Sequence, residues 1–306
     1  MPLSCNAASC HERDSKATGA IQGIHTNDIC RMKIKIMLLQ CLVGVFALQV
    51  SGAFALTLNS QHAIVINDQT GVVMLSKDAE SPAPIASLTK LMTAMVVLDS
   101  KPDMHEQISI LEDDVDSLKH SMSHVRVGTK LERNAVLRLA LMSSDNRAAA
   151  ALARTYPGGK TAFVQAVHSK IKKLGMTQTL IDEPTGLSPR NTSTARDLAK
   201  MAAAAASYPE IGDITTNRSE LFPMNGRQVA FHNTNRLVGA LGWDVLLSKT
   251  GFTNEAGHCL IMKIKHAGQS ATLVLLNSRA VSSSVFDASK IRQLLSHPVE
   301  IVRRTR

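Results

Sequence analysis

Ser87 and Lys90 stand three residues apart in "SPAPIASLTKLMT" (81–93), where a proline-punctuated segment gives way to an apolar run at helical spacing. On a helix that separation puts both side chains on one face, with Cβ atoms roughly 5–6 Å apart. A serine hydroxyl is a poor nucleophile at neutral pH and needs a base beside it, and an amine one helical turn away can be that base. A helix N-terminus beneath the serine favours the negative charge that develops there. A free lysine is protonated at neutral pH, so Lys90 can act as the base only if it is desolvated or near a second cation. Ser-x-x-Lys recurs at Ser169 and Lys172 in "VHSKIKKLG". That pair lies on a basic helix end with no partner motif and is read as surface.

Two further motifs follow in order. Ser144-Asp145-Asn146 lies in "LALMSSDNRAAA", and Lys249-Thr250-Gly251 closes a strand in "LLSKTGFT". Ser144 can relay a proton between Lys90 and a departing amine, and Asn146 can hold either a substrate amide or the Lys90 amine by hydrogen bonds. Their spacing of two needs a loop or turn, which "SSDN" provides. Lys249 can supply the second cation that lowers the Lys90 pKa. With Thr250 it also presents a cation and a hydroxyl suited to a substrate carboxylate. Gly251 leaves room for close backbone approach, so a substrate can add as an extra strand along this edge.

Strands and helices must be arranged so that these three motifs meet. "HAIVINDQTGVVMLSKD" (62–78) has two β-branched runs about a glycine-bearing turn and reads as a hairpin. After Pro82 and Pro84, "IASLTKLMTAMVVLDS" has helical spacing. Residues 134–208 are mostly helical, including "NAVLRLALMSSDNRAAAALART", "KTAFVQAVHSKIKKLG" and "STARDLAKMAAAAAS". "DVLLSKTGFT", "HCLIMKIKHAG" and "SATLVLLNS" then follow as antiparallel neighbours joined by short turns. Strands at both ends around a helical middle predict an α/β fold of the α+β type: an antiparallel sheet flanked by helices, with a helical subdomain inserted.

Four of the five cysteines, Cys5, Cys10, Cys30 and Cys41, precede residue 56. From Met32 the chain reads as a signal peptide, with two lysines, an apolar run and the small-x-small pattern Ala53-Phe54-Ala55. Cleavage is expected after Ala55. The apolar run is short for a membrane span of about 20 residues. Residues 1–31 are either an upstream mis-start or an unstructured leader, and residues 56–306 form the catalytic domain. One cysteine, Cys259, remains there, so no internal disulfide can form. Residues 1–55 hold five of the 34 Lys/Arg and three of the 25 Asp/Glu, leaving 29 against 22. A basic exported protein suits a polyanionic wall or membrane surface. Aromatics make up 3% and are not interleaved with basic residues, which argues against nucleic acid as a partner.

The trio of Ser-x-x-Lys, Ser-Asp-Asn and Lys-Thr-Gly resembles that of the active-site-serine penicillin-binding proteins and class A β-lactamases. "APIASLTKLMTAMVVLD", "EPTGLSPRNTSTARDLAKM" and "SKTGFTNEAGHCL" are especially similar to the small D-alanyl-D-alanine endopeptidases among the low-molecular-mass penicillin-binding proteins. The resemblance covers essentially the whole exported part. It implies a five-stranded antiparallel sheet with helices on both sides and a helical lobe. It further implies Ser87, Lys90 and Ser144 as catalytic residues and Asn146, Lys249, Thr250, Gly251 and Phe252 as substrate-binding residues. The amides of Ser87 and Phe252 would receive the oxyanion. The implied reaction is cleavage of peptidoglycan peptide crosslinks in the periplasm without metal or cofactor, with β-lactam antibiotics as covalent inhibitors.

The alternatives are a D-alanyl-D-alanine carboxypeptidase, a serine β-lactamase, and a non-catalytic peptidoglycan-binding protein. An intact Ser87 and Lys90 argue against the last. Family carboxypeptidases commonly add a β-rich domain and an amphipathic helix, whereas "PVEIVRRTR" is too short for such an anchor, so at most loose membrane association is expected.

Other residues receive plainer readings. His120 and His124 in "HSMSH" have metal-like spacing but no obvious further ligand, and are read as a solvated loop or helix end. Cys259 beside "LIM" is read as a small core residue. Glu183 in "DEPTGLSPRN" invites comparison with the loop glutamate of class A β-lactamases. Leu187 is followed by Ser188, not the Leu-Asn of that pattern, and Glu183 is read as structural.

Overall fold

A computed structural model describes residues 56–296. The leader and signal segment expected over residues 1–55, its cleavage point and the basic tail 297–306 lie outside the described residues. The hairpin at the start forms as expected. Strands β1 (His62–Asn67) and β2 (Val73–Lys77) pair antiparallel about a turn. In that turn Asn67 Oδ1 accepts from the amides of Gln69 and Thr70, and Gly71 adopts a φ of +69° that most side chains resist.

The chain then leaves the sheet for the helical insertion. In order it forms β3 (Ala83–Pro84), α1 (Thr89–Asp99), β4 (Gln107–Ser109), β5 (Lys130–Glu132), α2 (Arg133–Met142), α3 (Asn146–Arg154) and α4 (Gly159–Lys173). It continues through β6 (Thr192–Ser193), α5 (Ala195–Ala205), α6 (Pro209–Thr216) and the ribbon β7 (Ser219–Met224) and β8 (Arg227–His232). It returns to the sheet with β9 (Asp244–Thr253), β10 (Gly257–His266) and β11 (Gln269–Ser278), and closes with α7 (Val281–Ser296).

The five-stranded sheet has the order β2-β1-β11-β10-β9 and is antiparallel throughout. Because the sheet is built from both ends of the described residues, Val65, near the start, pairs with Leu273, near the end. "ATLVLLNS" reads as a continuous apolar run because β11 is buried on both faces. Leu273 and Leu275 pack with Ala288, Ile291 and Leu295 of α7, while Val274 and Leu276 join the larger core beneath the helical lobe. Strand β9 is left as the outer edge, and it carries Lys249, Thr250 and Gly251.

Helix α1 is buried from Thr89 to Val97, as an apolar-all-round sequence requires. Lys90 is the exception in its first turn, a fully buried lysine in the middle of the core. The stretch "NAVLRLALMSSDNRAAAALART" is two helices, α2 and α3, with a break at Ser143–Asp145. Ser144 has a left-handed φ of +61°, which no helix continues through. Asp145 restarts the chain as α3 by accepting from the Ala148 amide at 2.9 Å.

Candidate active site

Ser87 sits in a short 3₁₀ turn, Ala86–Leu88, that runs directly into α1. The backbone there is strained, since Ala86 has φ +46° without being glycine. Two glycines enclose the turn. A Cβ on Gly186 would lie 1.9 Å from the Ala86 carbonyl oxygen, and one on Gly251 would lie 3.0 Å from the Ser87 nitrogen. The sequence reading gives Gly251 a role in close backbone approach, and in the structure the Ser87-bearing turn is what approaches it.

Lys90 Nζ lies 2.9 Å from Ser87 Oγ, 2.7 Å from Asn146 Oδ1 and 2.7 Å from the Thr185 carbonyl oxygen. Its residue is 1% exposed. Burial pushes the Lys90 amine down to about 8, although the charges of Glu183, Asp145 and Asp116 act the other way. An ammonium would use its three hydrogens on these three oxygens. The neutral amine keeps two hydrogens for the two carbonyl-type oxygens, which cannot donate, and its lone pair then faces the Ser87 hydroxyl.

On the opposite wall, Lys249 Nζ donates to Ser144 Oγ at 2.9 Å and to the Thr250 carbonyl at 2.8 Å. Lys249 is 1% exposed. Burial and, after it, the charge of Lys90 hold its amine well below the usual lysine range. Thr250 Oγ1 lies 2.5 Å from Thr234 Oγ1, a residue that sequence reasoning passes over. The threonine hydroxyls, more than the buried lysine, therefore reach the cleft. Phe252 is 54% exposed, with its ring stacked on His258 at 4.4 Å between centroids. Beside Asn146 and Thr185 opens a cavity of about 270 Å³, lined among others by Val115, Asp116, Phe163 and Leu187.

Glu183 is bonded within its own loop. Its carboxylate accepts from the amides of Thr185, Gly186 and Ser188, and from Asn191 Nδ2. It thereby folds the loop that delivers the Thr185 carbonyl to Lys90. Cys259 is buried, its thiol pushed up to about 11 by desolvation. Ser169 Oγ bonds the Gln165 carbonyl of its own helix, far in sequence from every motif above. His120 and His124 are exposed, and between them Ser121 Oγ accepts from Asn146 Nδ2 at 2.8 Å.

A serine in a turn that runs into a buried helix, a lysine amine of that helix 2.9 Å from it and an open sheet edge opposite are the arrangement that an active-site-serine peptidase needs. Residues 49–280 match the D-alanyl-D-alanine carboxypeptidase family, and the chain belongs to that family of serine D,D-peptidases, which are hydrolases. It is 44% identical over 225 residues to the D-alanyl-D-alanine endopeptidase of Pseudomonas aeruginosa, covering 73% of each chain. It is 44% identical over 222 residues to the D-alanyl-D-alanine endopeptidase of Escherichia coli, covering 72% of each. The solved structure of the Streptomyces K15 DD-transpeptidase is similar with a TM-score of 0.72 at 26% identity, over 78% of this chain and 97% of that one.

Proposed function

We propose that the protein is an exported D,D-endopeptidase that opens D-alanyl to diaminopimelate crosslinks of peptidoglycan through an acyl-enzyme on Ser87. The observation that carries the reading is the 2.9 Å approach of Lys90 Nζ to Ser87 Oγ, with two carbonyl-type oxygens on the remaining sides of the amine. Neutral Lys90 takes the Ser87 proton as Oγ bonds the substrate carbonyl carbon. The amides of Ser87 and Phe252 hold the oxyanion, a contribution typically of about 3–4 kcal/mol. The C–N bond then breaks, and the proton passes to the departing amine through Ser144. Water attacks the ester as Lys90 takes its proton, and Lys90 returns that proton to Ser87 Oγ as the C–O bond breaks and the hydroxyl is freed. A β-lactam enters the same first step, but its amine stays tethered to the acyl group, so the penicilloyl-enzyme accumulates.

The endopeptidase branch is supported by the two 44%-identical relatives, both D-alanyl-D-alanine endopeptidases. Export to the periplasm is supported by the signal pattern ending at Ala55. Among the described residues no helix is long and apolar enough to cross a membrane.

The test has two arms. Ser87→Ala should abolish covalent labelling by fluorescent penicillin while the protein remains folded. Purified protein should convert crosslinked muropeptide dimers to monomers faster than it releases D-alanine from monomeric pentapeptides. Undiminished labelling of Ser87→Ala rejects the mechanism, faster D-alanine release rejects the branch, and rapid turnover of a chromogenic cephalosporin would identify a β-lactamase instead.

A further inference from the structure

Two residues that touch the Lys90 amine, Asn146 and Thr185, also line a cavity for which the reaction above has no use. Asn146, Ala150 and Ala153 stand at i, i+4 and i+7 on α3, so they form one stripe along its floor, which extends roughly 10 Å from the catalytic end. Phe163 and Val164 of α4, with Val115 and Leu118 of the loop before β5, supply further apolar wall. That loop is tied to the β9–β10 turn by the ion pair of Lys119 and Glu255. The cavity therefore lies on the side of the cleft towards which β9 runs after Phe252. Ser144 and Lys249, which the proposed reaction places beside the leaving group, do not line it. An acyl donor that adds to β9 and continues past Phe252 has this cavity beside it.

Most of the charges at the rim are already engaged. Asp114 pairs with Arg154, Asp182 with Arg190 and Glu183 with its own loop, while Asp116 accepts from the amides of Leu118, Lys119 and Ser121. Two charges are left. Among the described residues the Asp113 carboxylate has neither a hydrogen bond nor an ion pair, and the Lys160 ammonium has only a 3.3 Å contact with the Asp113 carbonyl oxygen. Both line the cavity near the C-terminal end of α3, where Arg154 holds the adjacent Asp114. The volume, about 270 Å³, falls just below the roughly 300–1,000 Å³ of sites for drug-sized ligands, so the space suits one long side chain. Its complement is an unbranched aliphatic arm that ends in an ammonium and a carboxylate.

We propose that this cavity is a subsite for the acyl donor: it receives the side chain of the residue that precedes the scissile D-alanine, with the arm's ammonium at Asp113 and its carboxylate at Lys160. The side chain of diaminopimelate has that form. Its Cα is roughly 3.8 Å from that of the acylated D-alanine, and its four carbon–carbon bonds span the apolar floor, which frees the methylenes from water. The proposal rests on Ser87 being acylated by a peptidoglycan stem peptide. It holds whether the leaving group is free D-alanine or a second stem, because the arm belongs to the acyl half of the substrate.

The experiment measures acylation of the purified protein by a set of 6-acylaminopenicillins. One carries an acyl chain of four methylenes ending in an α-amino acid; its analogues end in methyl, in ammonium alone or in carboxylate alone, and 6-aminopenicillanic acid has no arm. Each rate is divided by the armless rate, which cancels any change at Ser87 or Lys90 common to all. The amino-acid arm is expected to exceed the methyl arm at least about fivefold, the scale of two partly screened charge contacts. Ala150→Leu, which fills the floor, should cut the ratio for the amino-acid arm at least about tenfold. Val164→Phe narrows the same space from α4 and provides the reading if Ala150→Leu does not fold. Lys160→Ala should remove the advantage conferred by the carboxylate and keep that of the ammonium, and Asp113→Asn should do the reverse. An amino-acid arm no faster than the methyl arm, a ratio unmoved by both filling variants, or an end-group preference unmoved by both charge variants overturns the proposal. If Ser87→Ala still labels, the underlying site assignment fails instead, so the two failures are distinguishable.

Discussion

The Lys90 amine and the Ser87 hydroxyl are 2.9 Å apart inside a core from which water is excluded on the lysine side. The proposed attack requires that amine to be neutral, and burial pushes its pKa down to about 8. A base is active above its pKa, so acylation by fluorescent penicillin should rise with pH through about 8 and level off above it. Stopped-flow or quenched labelling between pH 6 and 10 measures this. A rate already maximal at pH 6 would show that Lys90 does not accept the proton.

Glu183 separates a structural from a hydrolytic role. Its carboxylate binds donors on Thr185, Gly186, Ser188 and Asn191. Glu183→Ala should cost about 2–4 kcal/mol of stability, the scale of a few buried donors left unpaired. It should also slow acylation, because the Thr185 carbonyl loses its place beside Lys90. Thermal melting and labelling measure the two effects. A deacylating base would give the opposite pattern: normal stability, normal acylation and a trapped acyl-enzyme.

The turn bearing Ser87 tolerates no added methyl group at its neighbour Gly186. A Cβ there would penetrate the Ala86 carbonyl, and Gly186 has φ +86° in addition. Gly186→Ala is expected to displace the nucleophile and abolish labelling, with a fall in melting temperature. Gly175→Ala, at φ +63° but with no atom within 4 Å of the added Cβ, should melt lower and still label. Equal labelling by both variants would argue against the close-packed turn as the device that holds Ser87.

The three motifs were legible because each compresses its chemistry into three or four adjacent residues, and the outer strands because β-branched runs flank identifiable turns. The break between α2 and α3 was legible as the turn that "SSDN" provides, although the residues on either side read as one helical stretch; what the sequence did not show is that left-handed Ser144 makes it. The β7–β8 ribbon, with Pro223 inside a strand, gave no clean alternation either. Thr185 and Ser121 make contacts spanning 95 and 25 residues of chain, to Lys90 and Asn146 respectively, separations that no local pattern reveals. In "HSMSHV" the sequence reading weighed only the histidines, taken as a solvated loop or helix end, whereas the serines between them carry the contacts.

Thr234 provides the last test, at the end of the cleft where the proposed reaction seats the leaving group. Its hydroxyl lies 2.5 Å from that of Thr250, and its amide donates to the Met142 carbonyl at 3.2 Å, which fixes the loop to the end of α2. Lys249 is buried behind them. A carboxylate arriving here therefore meets two hydroxyls first and the lysine only through the strand. A hydrogen bond to a charged group contributes about 1.5–3 kcal/mol, or roughly ten- to a hundredfold in binding. Thr234→Val keeps the shape and removes the donor, so KM for crosslinked dimers should rise at least about tenfold while kcat stays within about twofold. Amidating the leaving-group carboxylate should weaken the wild-type enzyme by a similar factor, and combining it with Thr234→Val should add little, since both changes delete the same contact. A fall in kcat at unchanged KM would place Thr234 on the nucleophile side, and full additivity of the two changes would show that the carboxylate binds elsewhere.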